Sequence, residues 1–294
     1  MAITTLILYL AFLGQIFLLS YYYPSRFIKR TRYVLETYPP AEYPKLYPNS
    51  FGYDAKADYT SGLTTYKILN GFAILVGLGL LGWAVFTGYT PSPTGGEEVL
   101  IVIYLFIQSI PHIKTEVAAY QHRKAMHYFD KSTTRVADLT PRKLFDFVSP
   151  VAVYLAATLF ISWLVFFIAT EGPITEWQDN IYISMAVLLS VHIGYVIAIK
   201  RTIYSKKLDP HQATKDQLIA IETRIKMYVY SIIFLNLFML VNTAIEVSGY
   251  EILDPIATTL YFQVLIATIM ELLFRTQKIE AIDFEVYRET GSKQ

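Results

Sequence analysis

The chain predicts an all-α fold: a polytopic integral membrane helical bundle of seven transmembrane helices, amino terminus outside and carboxyl terminus cytoplasmic. Three observations lead there. Hydrophobic residues make up 54% of the 294, mean hydropathy is +0.37 and charged residues are 17%, below the usual quarter. The apolar sequence is gathered into seven continuous runs, 3–22, 68–87, 99–118, 150–170, 181–199, 227–245 and 256–274, each near the ~20 residues that cross hydrocarbon. The third observation is charge. All 25 lysines and arginines fall in segments 23–67, 114–149 and 200–226 or after residue 274.

The other connectors, 88–98, 171–180 and 246–255, carry no base but eight acids: Glu97, Glu98, Glu171, Glu176, Asp179, Glu246, Glu251 and Asp254. Bases on cytoplasmic loops set the orientation. A wrong helix count would scatter them over both sides. The runs do not alternate as barrel strands would, and backbone amides in lipid must be satisfied within the segment, which makes the runs helices.

Residues 1–278 are expected to form the membrane domain, with cytoplasmic loops 23–67, 119–149 and 200–226, and 279–294 a cytoplasmic tail without a usable motif. The first run holds one internal polar residue, Gln15, lacks the basic start of a signal peptide, and leaves lipid at Tyr21-Tyr22-Tyr23-Pro24. Loop 1 reads Tyr38-Pro-Pro-Ala-Glu-Tyr43-Pro-Lys-Leu-Tyr47-Pro48. Proline fixes φ and extends its predecessor, predicting a stiff, polyproline-like arm that packs on the inner interface or docks a partner.

In helix 2, Gly77-Leu-Gly79-Leu-Leu-Gly82 matches the dinucleotide string in letters only. That motif needs a strand before it, whereas small residues inside a span let helices approach closely. Helix 3 has only fifteen purely apolar residues, Val99–Ile113, and is expected to run into the cytosol toward Met126. Thr140-Pro141 starts a short amphipathic helix that feeds helix 4 at Ser149-Pro150, and Leu208-Asp209-Pro210 a second capped start before helix 6. Gln108/Glu116 and Gln263/Glu271 share a spacing of eight, and Gly-Trp83-Ala-Val-Phe echoes Ser-Trp163-Leu-Val-Phe. These echoes suggest a helical-hairpin repeat of the kind found in transporters.

Several classes are excluded by residues. There is no cysteine, hence no disulfide, thiol nucleophile or thiolate metal site. G-x-S-x-G, P-loop and H-E-x-x-H strings are missing, which argues against an enzyme. Helix 7 has neither a lysine for a Schiff base nor Asn-Pro-x-x-Tyr, against a retinal protein or G-protein-coupled receptor. Topology accounts for the bases, so nucleic acid is not an expected partner. The absence of Asn-x-Ser/Thr suits a bacterial cytoplasmic (inner) membrane.

Four ionisable residues remain inside or at the edge of the runs: His112 and Glu116 on helix 3, His192 on helix 5 and Glu271 on helix 7. At 1.5 Å per residue, His192, His112 and Glu271 lie roughly 17, 20 and 23 Å from the outer ends, with Glu116 one turn below His112. One inner layer therefore holds all four. Such groups are costly in lipid and usually functional. The first expectation is binding or transport of a small solute or ion, with the carboxylates changing charge beside the histidines.

Another expectation is a structural or sensory subunit that docks a protein partner through its cytoplasmic loops. A third is a metal-dependent or haem-dependent oxidoreductase. The four would then ligate Zn, Fe or Mn, or haem would sit between His112 and His192. No cofactor is assigned. The bland reading pairs the carboxylates with Lys114 and Arg275 and the histidines with neighbouring helices.

Overall fold

The computed structural model describes residues 3–47, 55–91, 98–130, 141–205 and 209–288. Among these, every regular element is helical, and seven helices are long and apolar enough to cross a membrane. We number them α1 (Ile3–Thr37), α2 (Ala55–Thr87), α3 (Glu98–Phe129), α4 (Pro150–Glu171), α5 (Asp179–Ile203), α6 (Thr214–Val247) and α7 (Asp254–Thr276). This is an integral membrane protein.

Several helices outrun the apolar runs that marked them. At 1.5 Å per residue, the 35-residue α1 is about 50 Å long against ~30 Å of hydrocarbon. Hydropathy locates lipid, whereas a helix can run on through polar sequence beyond it. Thus α1 continues through Arg26 to Thr37, α2 starts at Ala55 rather than 68, and α6 starts at Thr214 rather than 227. Most of loop 23–67 and most of 200–226 are therefore helix. At the acidic end, Gly88 and Gly249 take φ of 66° and 70°. Tyr89 N–H then returns to Ala84 C=O, and Tyr250 N–H to Ile245 C=O, as left-handed C-terminal closures require.

Two groups of helices form the bundle. α1, α2, α3 and α7 pack together, while α4 and α5 pack chiefly on α6, which also meets α7. At the acidic end Leu8, Ile101 and Ile256 join the starts of α1, α3 and α7. At the opposite, basic end an aromatic core of Tyr43, Tyr47, Met126, Ile279, Phe284 and Tyr287 ties the arm, the foot of α3 and the tail together.

Three local expectations change. The Tyr-Pro arm is not extended. Glu42 and Tyr43 N–H bond to Pro39 C=O, and Pro44–Leu46 forms a 3-10 turn, because proline suits the first position of a helical turn as well as an extended one. Its rings stack on the tail, Tyr38 on Phe284 at 3.9 Å and Arg288 over Tyr43 at 5.2 Å, so residues 279–287 belong to a folded platform. Downstream, the amphipathic helix shrinks to one 3-10 turn, Leu144–Asp146, closed by Asp146 Oδ2 on Lys143 N–H at 2.7 Å. Its anticipated cap, Thr140, lies outside the described residues. Finally, Asp209 caps no helix, accepting instead from His211 N–H at 2.9 Å and Tyr287 Oη–H at 2.5 Å.

Candidate functional site

Buried polar side chains meet where α1 faces α3. Gln15 is fully buried, and directly after it Ile16–Tyr22 winds as a π-helix. With bonds from i to i+5, residues five apart lie over one another, and both Gln15 and Ser20 reach Gln108 of α3. Gln15 Nε2 donates to Gln108 Oε1 at 2.9 Å, and Gln108 Nε2 donates to Ser20 Oγ at 2.9 Å. Each group would be costly alone in an apolar interior. Together they are satisfied except for Gln15 Oε1, which is buried without a partner.

One turn of α3 farther on comes Pro111, buried within the helix. It has no N–H to offer the preceding turn. Thr115 Oγ1 donates back to the carbonyls of Pro111 and His112, both at 2.9 Å. His112 is half-buried, its Nδ1 3.4 Å from Tyr66 Oη of α2 with the rings edge-on. It also lines a cavity of about 50 Å³ between α1, α3 and α7, with Tyr23, Gln108, Ser109 and Met270 among the walls. A water needs roughly 10–15 Å³ of such space, so the cavity holds at most a few water-sized species.

Glu271 follows Met270 in α7, just outside the cavity lining. Its carboxylate is paired with the Arg26 guanidinium of α1 and lies 3.3 Å from Arg275 Nε. Arg26 also sits over Phe274 at 4.5 Å. Tyr23 Oη–H donates to Ala267 C=O at 3.2 Å. The half of α1 that emerges at the basic end is thus fastened to α7 beside the cavity.

His112 therefore lines the cavity, and Glu271 lies next to its α7 wall, in the residue after Met270. The other two expected residues are elsewhere. Glu116 is 81% exposed, with Arg123 at 4.0 Å. His192 belongs to the second helix group, where Nε2 lies 2.8 Å from Asn236 Oδ1 and Nδ1 2.9 Å from Leu188 C=O. Asn236 Nδ2 closes that system on Ala156 C=O of α4 at 3.0 Å. No hydrogen bond or ion pair among the described residues joins any two of the four. Nor do three His or acidic side chains gather there as a metal would require, and the two imidazoles proposed for haem are engaged in separate helix groups.

Pairing of Glu271 with Arg275 agrees with the bland expectation. Arg26 was hidden from sequence because it was counted with a basic loop. Gln15 was visible as a lone polar residue in an apolar run, but nothing in the sequence names Gln108 and Ser20 as its partners. The repeat echoes divide. Gln263 Nε2, like Gln108, bonds α1, through Ala11 C=O at 2.9 Å. Trp163 is 1% exposed and Trp83 54%, so the two tryptophans are not equivalent. The chain shows no significant match to any protein family, curated protein or solved structure compared with it.

Proposed function

We propose that this protein binds or moves a proton or another small ion through the crevice between α1, α3 and α7, with Glu271 and His112 as its working residues. One observation carries the reading. Inside a membrane bundle, His112 lines a cavity of about 50 Å³ whose α7 wall includes Met270, the residue before the Arg26-paired Glu271. Ionisable groups at such depth normally face a functional interior. The space suits a water-sized species and is far below the ~300 Å³ of an ordinary organic-ligand pocket. The distribution of bases supports a crevice on the cytoplasmic side with the amino terminus outside, and the absence of Asn-x-Ser/Thr supports a bacterial cytoplasmic membrane.

Reconstitution tests the reading. In proteoliposomes with a pH-sensitive dye inside, an imposed pH, sodium or potassium gradient should collapse faster than in empty vesicles. Both Glu271→Gln and His112→Ala should slow that collapse. Wild-type flux preserved in both variants would remove the proposal. The docking alternative is less favoured, because the arm it relied on is packed against the chain's own tail.

A further inference from the structure

A crevice that handles small ions can serve a metal cation, an anion or a proton, and its lining chemistry discriminates among them. Resting on the ion-handling reading of this crevice, we infer that the species it moves is the proton. Water in the cavity, the His112 imidazole and the Glu271 carboxylate relay it, and sodium, potassium and chloride are excluded.

The lining suits neither a bare cation nor an anion. A metal cation surrenders its hydration shell only where oxygens replace it, about six of them for a hard ion. Leu19, Leu105, Ile266 and Met270 make half of this lining apolar, and no carboxylate belongs to it. Side-chain oxygen comes only from Tyr23, Gln108 and Ser109, and Gln108 Oε1 already accepts from Gln15 Nε2 at 2.9 Å. Beside the α7 wall, Arg26 and Arg275 share the single carboxylate of Glu271. That surplus of positive charge also disfavours a free cation. An anion needs donors, and these are spent. Tyr23 O–H donates to Ala267 C=O at 3.2 Å and Ser109 O–H to Phe106 C=O at 2.7 Å. Gln108 Nε2 donates to Ser20 Oγ at 2.9 Å and Gln15 C=O at 3.4 Å.

A proton needs no shell of ligands, because it travels by changing partners between water and titratable groups. The cavity of about 50 Å³ has room for a few waters, at roughly 10–15 Å³ for each. His112 Nδ1 lies 3.4 Å from Tyr66 Oη, and no hydrogen bond among the described residues occupies Nε2. A hydronium in the cavity gives its extra proton to Nε2 and leaves water behind. The imidazolium then returns that proton to the next water. Glu271 takes it as a carboxylic acid, and its pairing with Arg26 gives way as the charge is lost. Such a relay carries positive charge past the guanidiniums bonded to a carboxylate, a route closed to sodium or potassium.

Proteoliposomes of the full chain, with a pH-sensitive dye inside and a potassium diffusion potential set by valinomycin, test this. The interior should acidify faster than in empty vesicles, at one rate in sodium and in N-methylglucamine medium. Heavy water on both sides should slow that rate. Without valinomycin, uptake of radioactive sodium, rubidium and chloride should stay at the empty-vesicle level. His112→Gln keeps a polar side chain but takes up no proton, and should bring acidification down to the empty-vesicle rate. Circular dichroism verifies that it is folded, and the heavy-water measurement needs no variant. Sodium, rubidium or chloride uptake above the empty vesicles would overturn proton selectivity while leaving ion movement through the crevice standing. Acidification undiminished in heavy water or in His112→Gln would overturn the relay. Flux of no ion at all would remove the underlying reading itself.

Discussion

The two helix groups treat buried polarity in opposite ways. In the α4–α6 group, His192, Asn236 and Ala156 C=O form a closed system, and Trp163 Nε1–H is satisfied by Thr243 Oγ1 at 3.2 Å. In the α1–α3–α7 group, Gln15 Oε1 and, on neighbouring α2, Asn70 Oδ1 are buried without partners. A helix there changes to π geometry, and a cavity is left open. Closed polar systems fasten helices together in lipid. Polar groups left over after packing are where water or an ion can enter, because an unsatisfied buried acceptor favours any donor or cation that reaches it. Polarity in a membrane span is thus a weak guide to function until its partners are counted.

Substitutions can break or sharpen that contrast. The largest effect is expected at Gly77, where any Cβ would lie 2.2 Å from Tyr104 Oη and 2.8 Å from Ile16 Cγ1. Tyr104 is fully buried and bonded to Ala73 C=O at 2.9 Å, so it cannot swing away. Gly77→Leu should cost about 3 kcal/mol or more, seen as a large fall in thermal midpoint in detergent. Gly79→Ala and Gly82→Ala, which meet nothing within 4 Å, should not.

Next come the polar seams. Asn236→Leu and Gln108→Leu should each destabilise by roughly 1–2 kcal/mol, measurable by denaturant unfolding in micelles. Only Gln108→Leu should also slow ion flux, since Asn236 is in the closed half. Equal loss of flux in both would erase the distinction.

A milder pair concerns the histidines. His192→Ala should lower stability by about 1 kcal/mol and leave flux unchanged, the reverse of His112→Ala. Flux lost on removing His192 would restore a site spanning helices 3, 5 and 7.

The smallest effect is at the platform. Burial pushes the Tyr47 hydroxyl up to about 12, and burial with the neighbouring Asp209 carboxylate raises that of Tyr287. The fold therefore favours the neutral phenols. Their contribution is whole below the ordinary value of 10.0 and is lost as pH climbs from there toward about 12. A tyrosinate absorbance titration should show a late-ionising fraction, and Tyr287→Phe should diminish it.

Sequence legibility followed the range of the forces involved. Hydropathy averages over twenty residues, which is why all seven spans were readable while the ends of α1, α2 and α6 were not. Those ends lie in polar sequence that hydropathy does not read, and α6 starts after Ala213 without a side-chain cap. The Ser149-Pro150 start was legible because a cap acts within a few residues, and Ser149 Oγ does accept Val151 N–H at 3.3 Å. The sorting of all bases into alternate connectors was likewise local information. His112 and Glu271 could be named as costly, but depth alone also named Glu116 and His192. Position along a helix says nothing about azimuth relative to neighbours.

By itself, then, the sequence determined that seven apolar helices cross lipid and which few residues resist it, because solvent partition is a property of each segment. Only the tertiary structure decided that Arg26 meets Glu271, that Gln15 meets Gln108 across a π turn, and that His192 is closed off by Asn236. Those pairings join residues dozens to hundreds of positions apart, and they exist only once helix rotation has brought particular faces together.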